Sequence, residues 1–118
     1  MVYSTTQEII TLVQKEIKGT KYLGSPAELY DPMNYILQLG GKRLRPVTTL
    51  LAANLFIEDV SVALPAAKAI EVFHNFTLVH DDIMDKAPLR RGQPTVHEKW
   101  DDNIAILSGD TLLIEAYN

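Results

Sequence analysis

Residues Val62–Asp85 read VALPAAKAIEVFHNFTLVHDDIMD. Within them Ile70, Val72, Phe73, Phe76, Val79 and Ile83 spread over most of a helical circumference, the pattern of a helix buried among other helices. Pro65 falls near the first turn, where its missing N–H has no helical partner to lose. Helical periodicity extends through almost the whole chain and strand-like alternation is missing, so the sequence predicts an all-α fold.

Downstream, Ala87-Pro88 through Gly92-Gln93-Pro94 reads as a loop, because two prolines and a glycine fall close together. A short helix over Thr95–Trp100 follows. Asp101 and Asp102 then offer caps for a helix carrying Ile104, Leu107, Leu112 and Tyr117, with no stop signal before Asn118. Upstream, Pro46 marks the first turn of a helix reaching about Phe56, and Gly40-Gly41 ends the segment before it. That segment opens at Ser25-Pro26-Ala27-Glu28, with proline expected at the first helical position, and should break near Asp31-Pro32 before resuming to Leu39. The first helix follows a capping box, Ser4 with Gln7 or Thr5 with Glu8. It carries Ile9, Leu12, Val13 and Ile17 and stops at Gly19.

A chain of 118 residues makes one domain, 1–118, around one core. Eleven basic and fifteen acidic residues give a net charge of −4, against a nucleic-acid or anionic-membrane binder, so any anion site is local. There are no cysteines, and neither a signal peptide nor an apolar run of transmembrane length is present, which points to a soluble, cytoplasmic protein.

At about 100° per residue, His74, Asp81 and Asp85 fall within about 40° of one another, with Glu71 and Asp82 flanking them. Asp81 and Asp85 are one turn apart, about 6 Å along the axis, so their carboxylates can share hard cations. Magnesium takes oxygen ligands and is typically held by one or two carboxylates together with substrate phosphates. The competing reading is a solvated acidic helix end, disfavoured if the apolar surround buries the carboxylates without cations.

Gly40-Gly41-Lys42-Arg43-Leu44-Arg45-Pro46 gathers three cations at a helix start, where the macrodipole is also positive. A bound anion would make that favourable; pairing with Asp31 or Glu28 is the alternative. Arg90-Arg91-Gly92 offers two more guanidinium groups suited to phosphate. His74 either donates to a phosphate oxygen or is structural. His80 points about 100° away from Asp81 and reads as a packing residue.

Gly41-Lys42-Arg43-Leu44-Arg45-Pro46, His74, Asp81-Asp82-Ile83-Met84-Asp85 and Arg90-Arg91-Gly92, in this order and spacing, resemble the trans-type polyprenyl diphosphate synthases. The resemblance extends from about Tyr35 to the chain end and includes Pro94-Thr95 and Ser108-Gly109-Asp110. It implies the N-terminal part of the isoprenoid synthase helical bundle, usually a homodimer. Asp81 and Asp85 would ligate Mg2+ on the diphosphate of an allylic prenyl substrate, with Asp82 in support and Arg90 touching the same diphosphate. Lys42, Arg45, His74 and Arg91 would hold isopentenyl diphosphate, and Arg43 has no clear assignment. The implied chemistry is ionisation of the allylic diphosphate, attack by the double bond of isopentenyl diphosphate and loss of a proton. By the same resemblance Phe76 and Thr77 would floor the pocket for the growing tail and give a product of fifteen to twenty carbons. Phe76 as plain core is the equal alternative.

Family members run to roughly three hundred residues with a second aspartate-rich motif that this chain lacks. The expectation is therefore an inactive, self-associating N-terminal fragment. Two rivals are a non-catalytic regulatory subunit of a prenyl synthase and a class I terpene cyclase. The cyclase would need neither Gly-Gly-Lys-Arg-Leu-Arg-Pro nor Arg-Arg-Gly.

Overall fold

The computed structural model describes residues 5–118. Its order is α1 (Thr6–Gly19), α2 (Ala27–Gln38), α3 (Leu44–Asn54), a 3-10 turn (Val60–Ala63), α4 (Leu64–Asp85), β1 (Leu89–Arg90), β2 (Gln93–Pro94), α5 (Val96–Lys99) and α6 (Asp102–Ala116). Thr5 caps α1 by accepting from the Glu8 N–H at 3.1 Å. The alternative box through Ser4 lies outside the described residues. Asp101 caps α6 by accepting from the Ile104 N–H at 2.7 Å, while Asp102 is the first helical residue.

α4 runs through two clusters of buried side chains. Near its start, Ala67 joins Ile9, Val13, Ile17, Val47 and Leu50 from α1 and α3. Further along, Val72 and Val79 meet Met33, Ile36, Leu37, Ala105 and Leu112 from α2 and α6. α6 can lie close because position 109 is glycine: a Cβ there would sit 2.6 Å from the His80 ring.

Four expectations are corrected. α2 does not break at Pro32, and Pro26 stands at the cap position with extended backbone rather than at the first helical position. An interior proline costs about 3 kcal/mol, whereas each fully buried large apolar side chain contributes about 1.5–3 kcal/mol. Met33, Ile36 and Leu37, all 0% exposed, outweigh it. The loop after α4 contains an antiparallel pair, Leu89 opposite Pro94 and Arg90 opposite Gln93. Its two-residue turn, Arg91-Gly92, has φ of 51° and 77°, the positive values such hairpins require; strands of two residues leave no alternation to read. Finally, α4 is not enclosed all round among the described residues. Ile70 is 42%, Phe73 41% and Met84 77% exposed, because the packed elements cover only one side of the helix.

Candidate functional site

The acidic side of α4 resolves into two polar stripes. On the first, Asp81 and Asp85 are exposed. Neither makes an ion pair with the described residues. On the second, roughly 100° round the helix, Glu71, Asn75 and Asp82 are buried at 3%, 1% and 5% exposure. The expectation that apolar surroundings bury the whole acidic cluster therefore fails for Asp81 and Asp85 and holds for Asp82.

Each buried carboxylate has an arginine. Arg90 Nε and Nη2 donate to Oδ2 and Oδ1 of Asp82, both at 2.8 Å, and this raises the Arg90 pKa above its ordinary value. Arg43 Nη1 lies 3.4 Å from Glu71 Oε2, with both side chains 4% exposed, and Arg43 Nη2 donates to the Leu37 carbonyl. Burial pushes the Arg43 guanidinium below its ordinary value, against the opposing pull of Glu71. The structure thus puts Asp82 with Arg90 rather than with Asp81 and Asp85, and takes Arg43 out of the surface charge cluster.

Lys42, Arg45, His74 and Arg91 do come together. With Gly41, Arg43, Leu44 and Glu71 they line a recess of about 320 Å³. Lys42 and Arg45 pair with neither Asp31 nor Glu28; among the described residues they make no ion pair. Gly40 and Gly41 have φ of 86° and 127° and Arg43 has 54°, so the chain turns sharply into α3. A Cβ on Gly41 would stand 2.6 Å from Arg91 Nη2; glycine there lets the Arg91 guanidinium rest against the backbone. Tyr35 secures the hairpin that carries Arg90 and Arg91 by donating to the Pro94 carbonyl at 2.6 Å. Thr95 adds an Oγ1 donation to Ala87 at 2.7 Å.

Arg45 Nη1 donates to His74 Nε2 at 3.2 Å. A nitrogen that accepts carries no proton, so neutral His74 is protonated at Nδ1. Burial first, then Arg45, lowers the His74 pKa; Arg91 and Arg90 add to this and Glu71 opposes it. Arg45 and His74 also line a second, more apolar recess of about 530 Å³ with Ile70, Phe73, Thr77, Ala116 and Tyr117. Thr77 opens on it, while Phe76 packs against the core between α4 and α6, edge-on to His80 at 4.8 Å. His80 Nε2 reaches the Ile106 carbonyl at 3.3 Å and Asp110 Oδ1 at 3.4 Å, which gives Asp110 a place in helix packing.

No cluster of three or more His, Cys, Asp or Glu side chains suited to a metal occurs among the described residues. Two unpaired carboxylates one turn apart nevertheless suit magnesium, which completes its shell with water and phosphate oxygens. The contribution of Glu71, Asn75 and Arg43 does not follow from residue type alone. The available signal was that Lys42, Arg43 and Arg45, entering one turn, cannot all face the same side.

Residues 26–118 match the family described as "Polyprenyl synthetase". A geranylgeranyl diphosphate synthase of Methanosarcina mazei is 52% identical over 92 residues, which are 78% of this chain and 28% of that protein. A geranylgeranyl pyrophosphate synthase of Geoglobus acetivorans is 47% identical over 117 residues, 99% of this chain and 37% of the relative. Its solved structure superimposes with a TM-score of 0.88, covering 97% of this chain and 37% of that one. A crystal structure of another geranylgeranyl pyrophosphate synthase, 54% identical, gives 0.91 over 98% of this chain and 35% of its own. The chain therefore spans about a third of the length of the relatives it matches. No described helix is long and apolar enough to cross a membrane.

Proposed function

Because this chain belongs to the polyprenyl synthetase family, we propose that it forms the diphosphate-holding part of a magnesium-dependent prenyltransferase. That enzyme condenses isopentenyl diphosphate with an allylic prenyl diphosphate to a short-chain trans-polyprenyl diphosphate. The observation that carries this reading is the pairing of two unlike anion sites along one helix. The unpaired carboxylates of Asp81 and Asp85 suit a metal-bridged diphosphate, and the recess of Lys42, Arg45, His74 and Arg91 suits a diphosphate held by cations alone.

In this reading Lys42, Arg45, Arg91 and the Nδ1–H of His74 hold isopentenyl diphosphate. Arg90, gripped by Asp82 through Nε and Nη2, keeps Nη1 outside that fork for the allylic diphosphate. Asp81 and Asp85 would hold Mg2+; when bound, the ion supplies Lewis-acid neutralisation of the departing diphosphate. Charge placement and shielding from water then account for catalysis, and no side-chain nucleophile is required. The apolar recess opening at Thr77 receives the prenyl tail. Thr77 shapes it directly, and Phe76 limits it only through packing. Names of the relatives favour a twenty-carbon product. A cytoplasmic homodimer is part of the same reading, supported by the cysteine-free sequence and the exposed apolar side chains of α6.

The test is incubation of the protein in its full natural length with Mg2+, radiolabelled isopentenyl diphosphate and geranyl or farnesyl diphosphate, with chromatography of the dephosphorylated products. Chain-extended alcohols are expected, and Asp81→Ala should lower their rate by about a hundredfold or more. Failure to extend any starter would reject the reading.

A further inference from the structure

The recess that gathers Lys42, Arg45, His74 and Arg91 is also lined by one carboxylate, Glu71. A negative charge beside an anion site opposes binding through space, so its presence needs another explanation. Glu71 is 3% exposed, and among the described residues its Oε2 has no hydrogen-bond partner although Arg43 Nη1 stands 3.4 Å away. Asn75 Nδ2 donates to Oε1 at 3.3 Å. Arg43, in turn, reaches the Leu37 carbonyl at the end of α2 and takes a left-handed backbone, φ 54°, as the residue before α3. The residue flanked by Lys42 and two positions before Arg45 is thus tied to α2 through Leu37 and to α4 through Glu71. Of the ligand-facing cations, Lys42 and Arg45 leave this turn and make no ion pair with the described residues, so the aim of Lys42, and of Arg45 beside its hydrogen bond to His74, depends on it.

We propose that Glu71 is a positioning residue for the diphosphate in this recess: its buried pair with Arg43 fixes the Gly40–Arg45 turn so that Lys42 and Arg45 face the anion. The inference deepens the reading above and rests on it. It has a sign that a bystander carboxylate lacks. Removing a negative charge should tighten anion binding if Glu71 acts only through space, and loosen it if Glu71 holds the turn.

The experiment is calorimetric titration of the protein with inorganic diphosphate in excess chelator, so that Asp81 and Asp85 have no metal through which to bind it. Lys42→Ala, Glu71→Gln and the unmodified protein are compared, with a melting curve of each. Binding by the unmodified protein that Lys42→Ala weakens supports the recess as the site. No binding, or binding indifferent to Lys42→Ala, overturns the recess reading and the inference with it. Given a Lys42-dependent site, Glu71→Gln is expected to weaken binding by about tenfold; equal or tighter binding overturns the inference alone. If Glu71→Gln does not fold, the Arg43→Met/Glu71→Met double variant takes its place, since an apolar pair of similar volume commonly replaces a buried ion pair without loss of stability. Weakened binding is again expected, and unmodified affinity overturns the proposal.

Discussion

Burial first, then Arg45, lowers the pKa of His74, with smaller contributions from Arg91 and Arg90 and an opposing one from Glu71. Because the folded value lies below the ordinary imidazole value of about 6.5, the unfolded chain takes up the proton first as pH falls. Stability is therefore unaffected well above 6.5 and is lost as pH drops through that value toward the lowered one. Melting temperatures measured across that window should fall less steeply in His74→Gln than in the unmodified protein; parallel profiles would show that His74 carries no such linkage. The two adjacent arginines should separate in the same kind of assay. Arg90→Ala strands a buried Asp82 carboxylate and is expected to cost about 3 kcal/mol in urea unfolding. The exposed Arg91→Ala should cost less than about 0.5 kcal/mol while weakening diphosphate binding. Equal stability losses would contradict the assignment of Asp82 to Arg90.

At the scale of elements, α4 and α6 meet where Gly109 lies against His80. Replacing glycine by alanine inside a helix gains about 1 kcal/mol in propensity, but here the new Cβ would stand 2.6 Å from the ring. That ring is held by Phe76 at 4.8 Å and lies 3.3 Å from the Ile106 carbonyl. Overpacking of this kind costs about 1–3 kcal/mol, so Gly109→Ala should destabilise on balance. In a His80→Ala background, measured by the same unfolding, the substitution should become neutral or stabilising. The helices were legible because capping and periodicity are local: Thr5, Asp101 and the glycines at 40 and 41 announce themselves. Pro32 misled because the burial that outweighs it comes from contacts distant in sequence. The candidate site was legible by residue type and only partly by direction. Lys42, Arg43 and Arg45 look alike as letters, yet the left-handed backbone at Arg43 sends that guanidinium inward to Glu71. Asp81 and Asp82 are adjacent letters too, but a 100° step per residue gives one to solvent and the other to Arg90.

The molecule as a whole is a slab of 44 × 28 × 19 Å with a radius of gyration of 15.0 Å, against about 13.5 Å for a compact domain of this length. Nineteen ångströms is about two helix diameters, so a helix buried on one side readily shows its other side to solvent. Ile70, Phe73 and Met84 of α4 do so, as do Leu107, Ile114 and Tyr117 at 57%, 63% and 81% exposure on or beside α6. Leu107 and Ile114 are seven residues apart and fall on one helical stripe. Apolar stripes of this kind favour association, and a net charge of −4 spread over the chain opposes it only weakly. Sedimentation of the 118-residue chain at micromolar concentration should therefore report species larger than a monomer. Leu107→Glu with Ile114→Glu should return it to the monomer if α6 supplies the contact. The same pair of substitutions leaves the cationic recess untouched, so diphosphate binding in chelator should survive in the monomer. A clean monomer from the unmodified chain would reject the association, and an oligomer that persists in the double variant would move the contact from α6 to the open side of α4.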